Sequence, residues 1–356
     1  MSKAIEVSEL VRDYDQFRAV DHISFDVESG EIFGFLGPNG AGKTTTVRIL
    51  TTLLEPTAGR VLIGGFDVER QSYQARRRMA LVPEESNIYT ELTAWANLMF
   101  SARLYRVPRG ERERRAKELL DAFDLYEKRD VKAQSFSKGM RRRLTIAMAL
   151  IHHPAILFLD EPTSGLDVRS AQTIKEIVRR FNASGMTIFL TTHQIEEANQ
   201  LCDRVAIINR GKIAAIDSPE KLKRDMESVQ AVEVAFDRSG PHQEGVLRSL
   251  PGVAEVVKQG DKWRLYTANP PSLLPILFDV AQQRDLQIVT LSTLGPSLED
   301  VFLHVTGQKV GTMTQSASGE GTSPFGPGSG PGRGGQGGGA GRGGRGGQGR
   351  GGWSNG

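Results

Sequence analysis

Residues 37–45 read GPNGAGKTT. Gly37, Gly42, Lys43 and Thr44 fit the spacing G-x-x-x-x-G-K-[ST], and the stretch lies between a strand-like and a helix-like segment, the setting that pattern needs. Pro38, Asn39, Gly40 and Ala41 fill the loop, and Thr45 follows it. Glycines in such a loop let backbone N–H groups turn inward around phosphate oxygens, and the helix N-terminus adds its partial positive charge. Lys43 supplies a full cation to the β- and γ-phosphates, and the Thr44 hydroxyl suits Mg²⁺. A second stretch, ILFLDE (156–161), is an apolar strand ending in two acids. Asp160 is placed to hold Mg²⁺, and Glu161 to polarise an attacking water as a general base. Many strands end in acids, so the pair gains its meaning only beside the phosphate loop.

These residues need elements to position them. EIFGFLGP (31–38), AILFLDEP (155–162) and MTIFLTTH (186–193) read as buried strands. A helix is expected from Lys43, with Val47, Ile49, Leu50, Leu53 and Leu54 available for its buried side. RVAIINRGKIAAI (204–216) reads as a hairpin turning at Arg210-Gly211. Short β-branched runs alternating with longer periodic stretches indicate an α/β domain with a largely parallel sheet over residues 1–225. Strand signal vanishes over about 88–150, where ERERRAKELLDAFDLY (111–126) is strongly helical, so a helical insert is expected there. Over 228–306 the order β-α-β-β-α-β is that of a small ferredoxin-like α+β domain. Its last helix carries Leu298, Val301, Phe302 and Val305 on one face, to cap its own domain or to stabilise a dimer. The runs Arg76–Arg78 and Arg141–Arg143 read as exposed faces, not as nucleic-acid sites.

Composition narrows the class. The chain has 356 residues, enough for roughly two domains. No segment approaches the roughly 18 apolar residues that span a bilayer, and the N-terminus lacks a signal-peptide layout. One cysteine, Cys202, excludes an internal disulfide and suits a reducing compartment. The net charge of +3 misleads, because residues 307–356 hold five basic side chains against Glu320 and leave the remainder near neutral. That tail, including GRGGQGGGAGRGGRGGQGRGG (332–352), lacks the apolar content to order itself and is expected to be disordered.

Further motifs follow in a fixed order. SFSKGMRRR (135–143) precedes the Asp-Glu strand, SGLD (164–167) follows it, and TTHQ (191–194) ends the third strand. With Tyr14 ahead of the phosphate loop, this set resembles the nucleotide-binding subunits of ABC transporters over about residues 4–220. The resemblance makes SFSKGMRRR the signature motif, with Lys138 and Met140 in place of the usual Gly and Gln, and with Ser137 and Gly139 kept as phosphate contacts. It makes Tyr14 the adenine-stacking aromatic, Asp167 the D-loop residue and His193 the switch histidine on the γ-phosphate. VPEE (82–85) falls where the family keeps its Q-loop, so Glu84 stands in place of Gln and becomes a third metal candidate beside Thr44 and Asp160. Glu85 reads as solvated.

The resemblance implies an ATP- and Mg²⁺-dependent ATPase. Two such domains meet head to tail, with ATP between the phosphate loop of one and the signature motif of the other. One chain carries one copy of each, so a second ATP-binding subunit is expected, a homodimer or a heterodimer, together with a separate transmembrane permease touched by residues 86–98. The protein would then sit peripherally on the cytoplasmic face of the cell membrane. PSLEDVFLHVTG (296–307) resembles the end of drug-export subunits of the daunorubicin-resistance type. The competing readings are a soluble non-transport ABC ATPase and a nucleic-acid-associated protein acting through its Arg-Gly tail. The first usually has two cassettes or a long coiled-coil insert, and four tail arginines give the second only a modest, salt-dependent affinity. Deleting residues 311–356 is expected to leave basal ATP turnover intact. Loss of phosphate release in that truncation would contradict this.

Overall fold

The computed structural model describes residues 2–225, 230–238 and 243–307, so the Gly/Arg-rich tail lies outside the described residues. Strands β1 (Lys3–Tyr14) and β2 (Phe17–Glu28) open the chain, and β3 (Ile32–Leu36) leads into the phosphate loop. Helix α1 (Lys43–Leu50) leaves that loop, followed by β4 (Ala58–Ile63), β5 (Phe66–Asp67), α2 (Ser72–Arg78) and β6 (Met79–Val82). Three helices come next: α3 (Ala94–Leu104), α4 (Arg112–Ala122) and α5 (Lys138–Ala149). The chain then alternates through β7 (Ile156–Asp160), α6 (Val168–Ala183), β8 (Thr187–Thr192), α7 (Ile195–Leu201), β9 (Arg204–Asn209) and β10 (Lys212–Asp217).

The central sheet has the order β10-β9-β3-β8-β7-β6, parallel throughout except for the edge hairpin β9–β10. Every residue of β3, β7 and β8 is buried, because helices and a second sheet cover both faces. Such strands read as unbroken apolar runs. The second sheet, β2-β1-β4-β5, is antiparallel and was not anticipated. Its alternation is blurred because β1 and β2 shift register at four points, and each shift moves side chains from one face to the other. Between the two sheets Phe25, Phe33, Phe35, Phe158 and Phe189 pack ring to ring, with centroids 5.4 Å apart for Phe158–Phe189 and 5.5 Å for Phe25–Phe33. Burying each is worth roughly 1.5–3 kcal/mol.

Helix α1 is shorter than its apolar residues suggest. The Thr51 hydroxyl bonds back to the Val47 carbonyl at 2.7 Å, and Thr52 adopts φ 61°, which turns the chain and leaves Leu53 exposed.

After α8 (Pro219–Arg224) come β11 (Gln230–Phe236), α9 (Gln243–Arg248), β12 (Val253–Gln259), β13 (Lys262–Thr267), α10 (Pro270–Gln283) and β14 (Ile288–Leu294). The sheet order β12-β13-β11-β14 is the ferredoxin-like arrangement, and its core joins Val232, Val234, Trp263 and Leu265 to Leu247, Leu273 and Leu277. The last helix, α11 (Leu298–Thr306), does not simply cap its own domain. Leu298, Val301 and Phe302 join the core of the first body and pack against α7, α8 and β10. Its first turn is tied to the ferredoxin-like sheet instead, because the Tyr266 hydroxyl donates to Asp300 at 2.8 Å while Ser297 and Asp300 form a reciprocal cap.

The arginine runs divide. Arg76, Arg77 and Arg78 are exposed as expected, but Arg142 is buried, which corrects the reading of 141–143 as a solvated face. Its guanidinium donates to five carbonyls: Pro162 at 3.0 Å, Glu84 at 3.1 Å, Asp160 at 2.8 Å, Glu161 at 3.2 Å, and Pro83. Burial pulls its pKa down to about 10, with the Asp160 and Glu84 carboxylates pulling the other way, so it stays charged at neutral pH. Arg142→Ala would leave those carbonyls without a donor and is expected to cost about 3 kcal/mol of unfolding free energy. Arg77→Ala should stay within about 0.5 kcal/mol. Urea unfolding of the two variants separates them.

Candidate active site

Where β3 ends, the chain wraps around Lys43. Gly37 and Gly42 are required by close approach: a Cβ on Gly37 would lie 2.5 Å from the Ile208 carbonyl oxygen, and one on Gly42, at φ 107°, equally close to that of Ala19. At those two positions the loop therefore lies directly on β9 and on the start of β2, with no room for a side chain. The Lys43 ammonium donates to the carbonyls of Gly37 at 2.7 Å and Pro38 at 3.2 Å, so its cation is held inside the loop curve.

Strand β7 ends beside this loop. Asp160 is buried, and its Oδ1 accepts the Thr191 hydroxyl at 2.5 Å. Glu161 follows with φ 47°, a left-handed conformation uncommon for a non-glycine residue and typical of strained functional turns. The Thr191 hydroxyl, 3.1 Å from the Glu161 N–H, steadies the turn. The carboxylate so presented lies 3.4 Å from Lys43 Nζ and 2.8 Å from His193 Nδ1. Burial works to raise the Glu161 pKa, but His193 and then Lys43 outweigh it and hold the carboxyl below its ordinary value. His193 shifts the other way, its pKa raised chiefly by the hydrogen bond to Glu161. The result is a buried carboxylate kept ionised by its hydrogen bond with His193 and by the nearby Lys43 ammonium.

A cleft of about 470 Å³ opens over these groups. Tyr14, Asn39, Gly40, Gly42, Lys43, Thr44, Thr45, Glu84, Glu161 and His193 line it, so most of the sequence-derived candidates converge. Pro38 belongs to the same loop, and Ala41 is buried within it. Ser137, Gly139 and Asp167 do not line it. Ser137 caps α5, its hydroxyl accepting the Met140 N–H at 3.2 Å, and Gly139 lies against the Ser170 side chain. Asp167 caps α6 and accepts the Ser170 N–H at 2.9 Å and its hydroxyl at 2.7 Å. Gly139 and Asp167 therefore meet at Ser170, away from the cleft, with Ser137 at the start of the helix that carries Gly139.

Sequence reasoning missed five contributors. Phe17 is 62% exposed, lines the same cleft and pairs across the β1–β2 hairpin with Tyr14, 39% exposed. Two aromatics flanking the two-residue turn Asp15-Gln16 were the available signal. Ser164 donates to Glu84 Oε1 at 3.2 Å and ties the loop after β6 to the segment after β7. Thr191 orients both acids. Glu197, fully buried, accepts the Thr163 hydroxyl at 2.9 Å, and burial pushes its pKa up. Arg12 lies with its guanidinium 4.8 Å from the Tyr14 ring centroid, covering one face of that ring.

A divalent ion fits the donors present. Thr44 and Glu84 line the cleft and Asp160 ends the adjoining strand, an all-oxygen set of one hydroxyl and two carboxylates. Among the described residues no group of three or more His, Cys, Asp or Glu could cage a metal alone. Few protein ligands completed by substrate phosphates is the habit of Mg²⁺.

The family model described as "ABC transporter" matches residues 20–164. The daunorubicin/doxorubicin resistance ATP-binding protein of Streptomyces peucetius is 37% identical over 309 residues, covering 86% of this chain and 93% of that one. The Nod factor export ATP-binding protein I of Rhizobium sp. strain N33 is 38% identical over 315 residues, covering 87% and 99%. A solved ATP-binding subunit of an ABC transporter superposes with a TM-score of 0.58 at 31% identity, covering 63% of this chain and 93% of that one. No described helix is long and apolar enough to cross a membrane. With likeness running nearly the full length of such relatives, and an ionised carboxylate beside a phosphate loop, the chain belongs to the ABC transporter family as an ATP-binding subunit that hydrolyses ATP.

Proposed function

We propose that residues 1–225 form the nucleotide-binding domain of an exporter, with 228–306 as an accessory domain, and that two copies close head to tail on ATP. The observation that carries the catalytic reading is the Glu161 carboxylate, held ionised between Lys43 and His193 at the phosphate loop. Tyr14 stacks on the adenine, the loop backbone and Lys43 hold the β- and γ-phosphates, and Thr44, Asp160 and Glu84 would hold Mg²⁺. The ion supplies neutralisation of charge on the phosphate oxygens. Glu161 orients a water and accepts its proton as the water oxygen attacks the γ-phosphorus and the bond to the ADP oxygen breaks. His193, anchored by Glu161, reaches the γ-phosphate from the other side. Ser137 and Gly139, standing outside the cleft of their own chain, complete the site of the partner copy, with Asp167 linking the two.

The export assignment draws on the Nod factor export relative and the drug-resistance relative. A separate permease would dock beside the loop after β6, where exposed Tyr89, Phe100, Leu104 and Tyr105 surround a groove of about 150 Å³. Docked there, the protein would sit peripherally on the cytoplasmic face of the membrane. The transported molecule is recognised by the permease and not by these residues.

Glu161→Gln removes the base while keeping its shape. Hydrolysis is expected to fall at least about a hundredfold, with ATP-dependent dimerisation retained; undiminished phosphate release would remove Glu161 from this role. Glu84→Gln exchanges a carboxylate ligand of Mg²⁺ for a weaker amide oxygen, so it is expected to shift the Mg²⁺ titration of turnover to higher concentration with little change in maximal rate. An unaltered titration would exclude Glu84 from the metal.

A further inference from the structure

Six strands lie at the edges of the three sheets, and five are blunted in recognisable ways. β2 carries Arg18, Asp21 and Asp26, β10 carries Lys212 and Asp217, and β12 carries Glu255 and Lys258, while β5 has two residues and β6 four. Charge and brevity are the usual defences of an edge against pairing with another chain. β14 has neither. It is seven residues long, reads IVTLSTL, and contains no charge, proline or glycine. Among the described residues no strand pairs with its outer edge, and Val289 is 63% exposed, with Thr290, Ser292 and Thr293 exposed beside it.

We propose that β14 pairs antiparallel with β14 of a second copy of this chain, in a register centred on Leu291, joining the two ferredoxin-like sheets across a two-fold axis. The sequence is self-complementary in that register. Ile288 meets Leu294, Val289 meets Thr293, Thr290 meets Ser292 and Leu291 meets itself, so aliphatic residues oppose aliphatic ones at the ends and centre, two β-branched residues oppose each other at 289 and 293, and hydroxyls oppose each other at 290 and 292. Matched pairs of this kind are what stabilise strand pairing. Leu291 also packs on the core beneath its own sheet, so the join would make the two cores continuous. An isologous contact of this kind closes on itself and gives a dimer, not a filament. The proposal rests on the reading that two copies complete the ATP site. It adds a contact that needs no nucleotide, so the partners would stay together when ATP is absent and the nucleotide-binding faces separate.

The test uses the full chain without nucleotide, in sedimentation velocity, and is distinct from the ATP-dependent dimerisation of the Glu161→Gln chain. The expected result is a dimer. V289K/T293K sets like charges directly opposite one another in the proposed register and should weaken it roughly tenfold or more. V289K/T293E puts Lys opposite Glu and should restore the dimer. It loads the same two exposed positions, so a folding defect from polar substitution would show in both variants. L291C should form an intermolecular disulfide under mild oxidation, because directly opposed residues lie about 4.5–5.5 Å apart between Cα atoms, whereas V289C should not. Cys202 is buried and does not compete. A monomeric nucleotide-free chain, as expected if the edge serves a permease segment or another protein, would overturn the proposal. So would a dimer indifferent to V289K/T293K, or L291C that fails to cross-link.

Discussion

The Arg142 guanidinium is where three separately folded segments meet. It leaves α5, the helix that Ser137 caps, and donates to the backbone after β6 and to the backbone at the end of β7. Main-chain carbonyls of consecutive residues cannot satisfy one another in so tight a bend, and water is excluded from the site. One planar group with five donors supplies what they lack. The helical insert is thereby fixed to the turn that presents Glu161. Any tilt of α5 must carry that turn with it or break several charge-assisted hydrogen bonds.

A second constraint follows from burial. A carboxylate taken out of water gains a proton unless cations hold it ionised. At Glu161 the cation is Lys43, itself folded into the loop, and the half-exposed His193 adds a hydrogen bond. Lys43 and His193 line the same cleft, so whatever draws on either of them there also alters their hold on the Glu161 carboxylate. Ser164 and Glu84 extend this connection outward, from the segment following the base to the loop beside α3.

Much of the site was legible because its chemistry is contiguous. Gly37 to Thr45 and Asp160–Glu161 each need a fixed local spacing, and each is preceded by a buried parallel strand whose apolar run is plain. His193 and Tyr14 were found by their order relative to those stretches. Arg142 was not, since three consecutive arginines on a helix look solvated, yet Arg142 lies on the turn that also buries Thr145 and Ile146. A face at spacings of three and four was the signal, and charge obscured it. The antiparallel sheet was hidden by the register shifts of β1 and β2, and with it the hairpin that sets Phe17 opposite Tyr14. The ferredoxin-like order emerged from the sequence, but the destination of α11 did not, because an apolar face does not say which surface it will cover.

That last helix changes how the polypeptide is built. The ferredoxin-like strands are entered from α8 and left through α11, and both of those helices belong to the first body. In topological terms residues 230–294 are an insertion held at both ends, not an appendage trailing from one. A stop codon after α8 would do more than remove a module: it would strip Leu298, Val301 and Phe302 from the core against α7 and lay bare the apolar surface they cover. The accessory lobe is thus clamped at both its entry and its exit by the body that it accompanies.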